Sequence, residues 1–240
     1  MAITYVNSNS AGGTANTVST AALDNLTGVA DFLVGAQGWY YAFAAGPTVT
    51  DDATSPANTP YVNRTKYTDS AQGATRLSYF LNPHVTATQI MTAAGTNSFP
   101  SLVQGSFKGV HLTAAYDDER GNNGGAGLTS LIASSTTDLT PSENGCLVLL
   151  VCVWAANVTS IGIDDANFSL IPNGHVDYLA SNHFGVSLYY SIQTTAAAVN
   201  PTVSWTTATN ASIAMASFKP AAAGAGTFRR SPRATLFGVG

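Results

Sequence analysis

From Cys146 to Ala155 the chain carries no polar side chain apart from two thiols and an indole N–H. The run is shorter than the roughly 20 apolar residues of a membrane-spanning helix. Its β-branched and aromatic content, Gly145 before it and Asn157 after it predict a strand. Alternation puts Cys146, Val148, Leu150, Cys152 and Trp154 on one face and Leu147, Leu149, Val151 and Val153 on the other. Both faces are apolar, so both must be covered. The pattern predicts a central strand with the core on one side and a loop, arm or partner subunit on the other.

The rest of the chain reads as short strands separated by turn signals. Strands are predicted over 3–6, 17–26, 32–43, 48–50, 76–81, 89–94 and 101–108, with a Ser/Asn/Gly-rich loop over 7–15. The order then recurs. A strand is predicted over 112–116, a Gly/Asn loop over 117–127, and strands over 128–133, 146–156, 161–163, 186–192, 202–206 and 213–219. Trp154 falls near the place of Trp39, Asp164-Asp165 matches Asp51-Asp52, and Ser-Phe-Lys closes both series. The spacing between matched positions stays close to 111–115 residues. No stretch carries the 3.6-residue apolar stripe of a helix.

These features predict an all-β chain of two tandem antiparallel β-sandwiches of jelly-roll or immunoglobulin-like type. The boundaries are residues 1–109 for the first, 110–220 for the second as an internal repeat, and 221–240 for an extended basic C-terminal arm. The joint near 108–112 leaves almost no linker, which predicts a fixed relation between the two.

Composition changes the picture at one point. Only 9% of residues are charged, against about 25% in an average globular domain. So few charges predict a surface buried largely against other subunits, with a secreted, Thr/Ser-rich surface protein as the alternative. Lys219, Arg229, Arg230 and Arg233 lie in the last 22 residues, which hold no carboxylate side chain. The remaining body is acidic, which predicts no attraction for nucleic acid. No membrane segment and no basic-then-apolar leader are visible in Met1–Val6 and beyond, so synthesis in a cytoplasm is expected. Cys146 and Cys152, six positions apart on one strand, are too distant to bridge, and buried free thiols are expected.

No catalytic set emerges. His175-x-Asp177 with His183 nearby lies in a stretch, 172–184, that reads as a solvated loop. The Asp51-Asp52 and Asp164-Asp165 pairs read as a repeated turn. Asp117-Asp118-Glu119 ahead of Gly121-Asn122-Asn123-Gly124 does not meet the order of a calcium loop. No phosphate-binding loop or nucleophile elbow is present. The expectation is no enzyme, no catalytic residue, no cofactor and no metal. The numerous Tyr and Trp residues fall inside strand patterns and read as core, with a sugar-binding platform as the alternative.

Residues 144–220 resemble a sandwich module of tailed-bacteriophage virion proteins and related bacterial surface proteins. The matching pieces are Cys146–Trp154, Ile161–Ala166, Val186–Ile192, Thr202–Thr206 and Ala211–Phe218, and 30–109 resembles it more weakly. The resemblance implies a structural or adhesive protein: a capsid decoration or cement protein in the virion that bridges and stabilises neighbouring subunits by binding alone. The alternatives are a tail, neck or fibre-attachment component, or a carbohydrate-binding adhesin module. The expected partners are the major capsid protein or further copies of the chain in a homo-oligomer, with neither nucleic acid nor membrane. In the arm, Phe228, Leu236 and Phe237 are expected to supply apolar anchors and Arg229, Arg230 and Arg233 to pair with carboxylates of a neighbour, the alternative being an arm folded back on the acidic body of its own chain.

Overall fold

The computed structural model describes residues 1–25, 29–54, 56–69, 72–180 and 182–222. Among them the chain is all-β, with no helix. The first half supplies β1 (Thr4–Gly12), β2 (Thr17–Ser19), β3 (Phe32–Tyr40), β4 (Thr48–Asp51), β5 (Val62–Asn63), β6 (Tyr67–Thr68), β7 (Gly73–Leu81), β8 (Met91–Ala94) and β9 (Ser101–Lys108). The second supplies β10 (Tyr116–Ile132), β11 (Leu147–Trp154), β12 (Gly162–Ile163), β13 (Ser169–Val176), β14 (Gly185–Ile192) and β15 (Thr202–Phe218).

The first half builds a large antiparallel sheet in the order β1-β9-β3-β7-β5, with β6 also on β7, and a small sheet β2-β8-β4. The second builds β10-β15-β11-β14-β13, with β12 on β15. The two large-sheet orders are equivalent strand for strand. Here β10 and β15 are long enough to serve both layers. Their far ends pair with each other, Ser130 with Ser204 and Ile132 with Thr202, and β12 adds on the β15 side, as a counterpart of the small sheet.

Registers repeat as well. Phe32 faces Phe107 as Leu147 faces Phe218, and Trp39 faces Ala74 as Trp154 faces Gly185. Both edge strands shift register at the same point, between Tyr5 and Asn7 and between Tyr116 and Asp118. The shift is held the same way twice: Asn7 N–H donates to Ser106 Oγ at 3.1 Å, and Asp118 N–H to Ser217 Oγ at 3.2 Å. Within described strands, no ladder joins one half to the other.

Three apolar cores separate four layers. One lies between the first half's large and small sheets around Leu33, Val49, Met91 and Leu102. One fills the second half around Leu150, Cys152, Trp154 and Trp205. The third joins the two large sheets, face on face, through Phe32, Val34, Phe107, Leu149, Val151, Val153, Leu188 and Phe218. β11 therefore covers both its faces as alternation requires. The cover on its second face is neither a loop, an arm nor a partner subunit but the other half of the same chain.

That central junction is reciprocal. β3 lies on β11, β7 lies on β15, and the counterpart of that pair, β9 on β14, occurs too. Likewise β1 lies on β13 while β10 lies on β6. A surface in which i meets j and j meets i is the signature of a two-fold, isologous interface. The joint is tight: Gly109 sits at φ +90°, where an added Cβ would strike the Ala2 carbonyl.

Several predicted elements are corrected. The Ser/Asn/Gly stretch of 7–15 is strand as far as Gly12, and 117–127 lies wholly within β10. Their small polar residues sit on sheet edges, where the ladder to β9 or β15 supplies the order that propensity does not. Residues 112–114 form a turn rather than a strand. The first part of 172–184 is not loop, because β13 runs to Val176.

Candidate functional site

The arm residues Phe228, Arg229, Arg230, Arg233, Leu236 and Phe237 lie outside the described residues. The arm's root is placed. Ala221 N–H donates to Gly109 O at 2.7 Å, and its carbonyl accepts from the amino group of Met1 at 3.0 Å.

His175 sits on edge strand β13. Its Nδ1 is 2.7 Å from Ser187 Oγ and its Nε2 is 3.0 Å from Asp177 Oδ1. Serine, histidine and carboxylate thus meet, but not as a nucleophilic triad. Ser187 is completely buried on β14 opposite Cys152, out of reach of any substrate. The imidazole instead fastens an edge strand and rests edge-on to Trp154, 6.1 Å between ring centres. His183 is not part of this group. No group of three His, Cys, Asp or Glu side chains suited to a metal occurs among the described residues.

The acidic pairs are structural, but their alignment shifts by one residue. Asp52 N–H donates to Ile90 O and its Oδ1 accepts from Ile90 N–H at 3.0 Å. Asp164 does the same with Thr202, at 2.7 Å. Asp52 is therefore the counterpart of Asp164. Asp51 does something else, and gathers Asn58, Tyr61 and Gln89 on Oδ2.

The Asp117–Glu119 carboxylates are likewise engaged. Burial works against ionisation of Asp117, yet hydrogen bonds from Ser142 and Ser217 and the charge of Lys219 hold it below the ordinary range. Asp118 pairs with Arg120 at 2.7 Å. Glu119 crosses the junction, accepting from Arg64 Nε at 2.9 Å and from the Thr65 hydroxyl. Against its burial, these two partners keep Glu119 ionised. The Arg64 guanidinium also lies 3.5 Å over the Tyr116 ring.

Both cysteines are free and fully buried. Burial first, then the Asp117 and Glu143 charges, push the Cys146 thiol up to about 11; burial pushes Cys152 up as well. Unfolded thiols ionise near 8.5. The folded state thus holds its protons longer, and its advantage is complete below about pH 8.5 and declines as pH rises toward 11. A thiol reagent at pH 8 is expected to label the urea-unfolded chain rapidly and the native chain negligibly; matching rates would contradict this burial.

One cleft opens at an end of the junction. Tyr40 and Phe99 come from the first half, and Tyr178, Leu179, Asn182, His183 and Phe184 from the second, around about 120 Å³. Tyr40 and Phe184 stack at 6.4 Å with 17° between ring planes, and Phe99 and Tyr178 meet them edge-on. Leu179 and His183 exchange backbone hydrogen bonds of 3.1 Å, and Asn182 N–H donates to Leu179 O at 3.0 Å. The His183 ring rests directly on Gly12, where any Cβ would clash. No sequence pattern joins these residues. Tyr40 falls in a strand pattern that reads as core, whereas Tyr178 and His183 both fall in the stretch 172–184 that reads as solvated loop.

Comparison of the chain with family models, with curated proteins and with solved structures finds no match in any of the three.

Proposed function

We propose that this chain is a structural protein of a tailed-phage virion, a capsid decoration or cement protein that bridges neighbouring subunits by binding alone. The observation that carries the reading is the pair of outermost layers. The first half's small sheet turns Thr17, Ser19, Thr48, Thr50 and Thr92 outward. The second half's counterpart turns out Ser130, Thr202, Ser204 and Thr206. Neither set contains a charge. Hydroxyl and methyl groups shed water at far lower cost than ions, which suits sheet faces meant to lie against protein. The reciprocal junction relates the two faces by an approximate two-fold. One rigid block then offers two alike faces to two alike partners, as a bridge requires. The virion setting rests on the resemblance of 144–220. The basic arm adds a second contact to an acidic neighbour.

The test is co-sedimentation of the purified chain with empty heads of the phage that encodes it. Stoichiometric pelleting is expected, and a chain lacking 221–240 should fold but pellet less, most of all at high salt. A full-length chain that stays in the supernatant at micromolar concentration overturns the capsid role. A truncated chain that pellets as tightly as the full one removes the arm from it.

A further inference from the structure

We propose that the aromatic cleft between the two halves is a binding site for one neutral pyranose ring. This goes beyond the assembly role, and is read on the free chain, so either can fail alone. The argument starts from what lines the cleft. Tyr40, Phe99, Tyr178 and Phe184 offer ring faces and edges, and none of the seven lining residues is Asp, Glu, Lys or Arg. A charged ligand entering here loses hydration and finds no opposite charge. The ligand is therefore neutral.

Polar groups then choose among neutral ligands. The Tyr40 and Tyr178 hydroxyls, the Asn182 amide and the His183 imidazole line the cleft and have no hydrogen-bond partner among the described residues. A purely apolar ligand would displace water from all four and restore nothing. A pyranose carries both requirements on one small ring. Its C–H face lies against the electron-rich face of an aromatic side chain, and its rim of hydroxyls both donates and accepts. Size points the same way. At about 120 Å³ the cleft is smaller than the roughly 300–1,000 Å³ of sites for drug-sized ligands, so it takes one ring, with the rest of any glycan outside.

The walls are pre-positioned. Phe184 is 6% exposed and anchored in the central core. Backbone hydrogen bonds to Leu179 hold Asn182 and His183, and the absent side chain of Gly12 makes room for the imidazole. Leu179, 52% exposed, stands at the mouth. Because the two halves contribute opposite walls, the site exists only in the joined chain, a common place for ligand sites.

The experiment is saturation-transfer NMR and calorimetry on the full chain with methyl glycosides of glucose, galactose, mannose and N-acetylglucosamine. At least one should bind with a millimolar dissociation constant and receive saturation on its C–H face. Asn182→Ala, at a half-buried position of the rim, should weaken binding at least fivefold with an unchanged melting temperature. Tyr40→Ala should weaken it at least tenfold. No binding of any glycoside at 50 mM overturns the proposal, as does binding that neither variant alters. Tighter binding of indole than of every glycoside overturns it in favour of a planar aromatic ligand.

Discussion

Replacing Phe218 by Ala is expected to destabilise the chain by about 3–5 kcal/mol, and to do so in both halves at once. The residue belongs to β15 of the second half and is fully buried. Its ring lies 4.8 Å from that of Phe32 and 5.1 Å from that of Tyr79, both on the first half's sheet. Truncation removes the transfer term of the ring and leaves a cavity that strands on both sides cannot close without moving. It also removes two aromatic pairs, each worth about 0.5–1.5 kcal/mol beyond their area. For a chain of this length the midpoint should fall by roughly 10 °C. Native-state hydrogen exchange makes the claim specific. Amides of Phe32–Tyr40 and of Leu147–Trp154 should lose protection together, because the central core belongs to both sheets. Retained protection in β3 would mean that the first half is stable without its neighbour.

Asp51→Ala is expected to have the next largest effect, about 3–4 kcal/mol, from a side chain the sequence marks as an ordinary turn residue. Asp51 Oδ2 accepts from Asn58 Nδ2 at 2.8 Å, from the Tyr61 hydroxyl at 2.7 Å and from Gln89 Nε2 at 2.9 Å. All three donors are buried, and Gln89 in turn accepts from Asn25. Removing the shared acceptor leaves the Tyr61 hydroxyl, Gln89 Nε2 and one hydrogen of Asn58 Nδ2, whose other partner is His84 O, without an acceptor, each costing about 1–3 kcal/mol, less what entering water restores. Burial first, and then the Asp51 charge, hold the Tyr61 phenol protonated far above its ordinary range. Asp164→Ala is the control. Among the described residues that carboxylate accepts a single backbone N–H, at an exposed strand end, and its loss should come to about 1 kcal/mol. Urea unfolding of the two variants measures the difference. Equal midpoints would show that the buried network around Asp51 contributes nothing of its own.

The network around Asp51 has no counterpart in the repeat, because Ile163 occupies the equivalent place, just before Asp164. Sequence alignment hid this by pairing the first aspartates of each doublet. Only the ladder partners, Ile90 and Thr202, reveal that the equivalence runs from Asp52 to Asp164. The Gly/Asn stretch of β10 was illegible for a related reason. Its own residues disfavour a strand, and its order comes from β15, a segment of the chain distant in sequence but adjacent in space. The cleft was hidden more completely. Tyr40 and Phe99 meet Tyr178–Phe184 only because two sheets stack, and no local pattern encodes which residues end up at the rim.

What the sequence determined by itself is the set of local choices that apolar periodicity and β-branched composition make. An all-β chain, the central strands β3 and β11, the near-complete extents of β9 and β14, two buried thiols and a repeated order of elements all follow from side chains a few positions apart. Both faces of β11 were bound to be buried, since alternation left no polar face. The tertiary structure alone decided what buries them. Periodicity reports that a face needs cover, but any complementary apolar surface satisfies that need equally, whether loop, partner or neighbour. Here the apolar faces of the two large sheets meet in one core, and the joint at Gly109 holds the halves close in sequence, so the chain closes on itself.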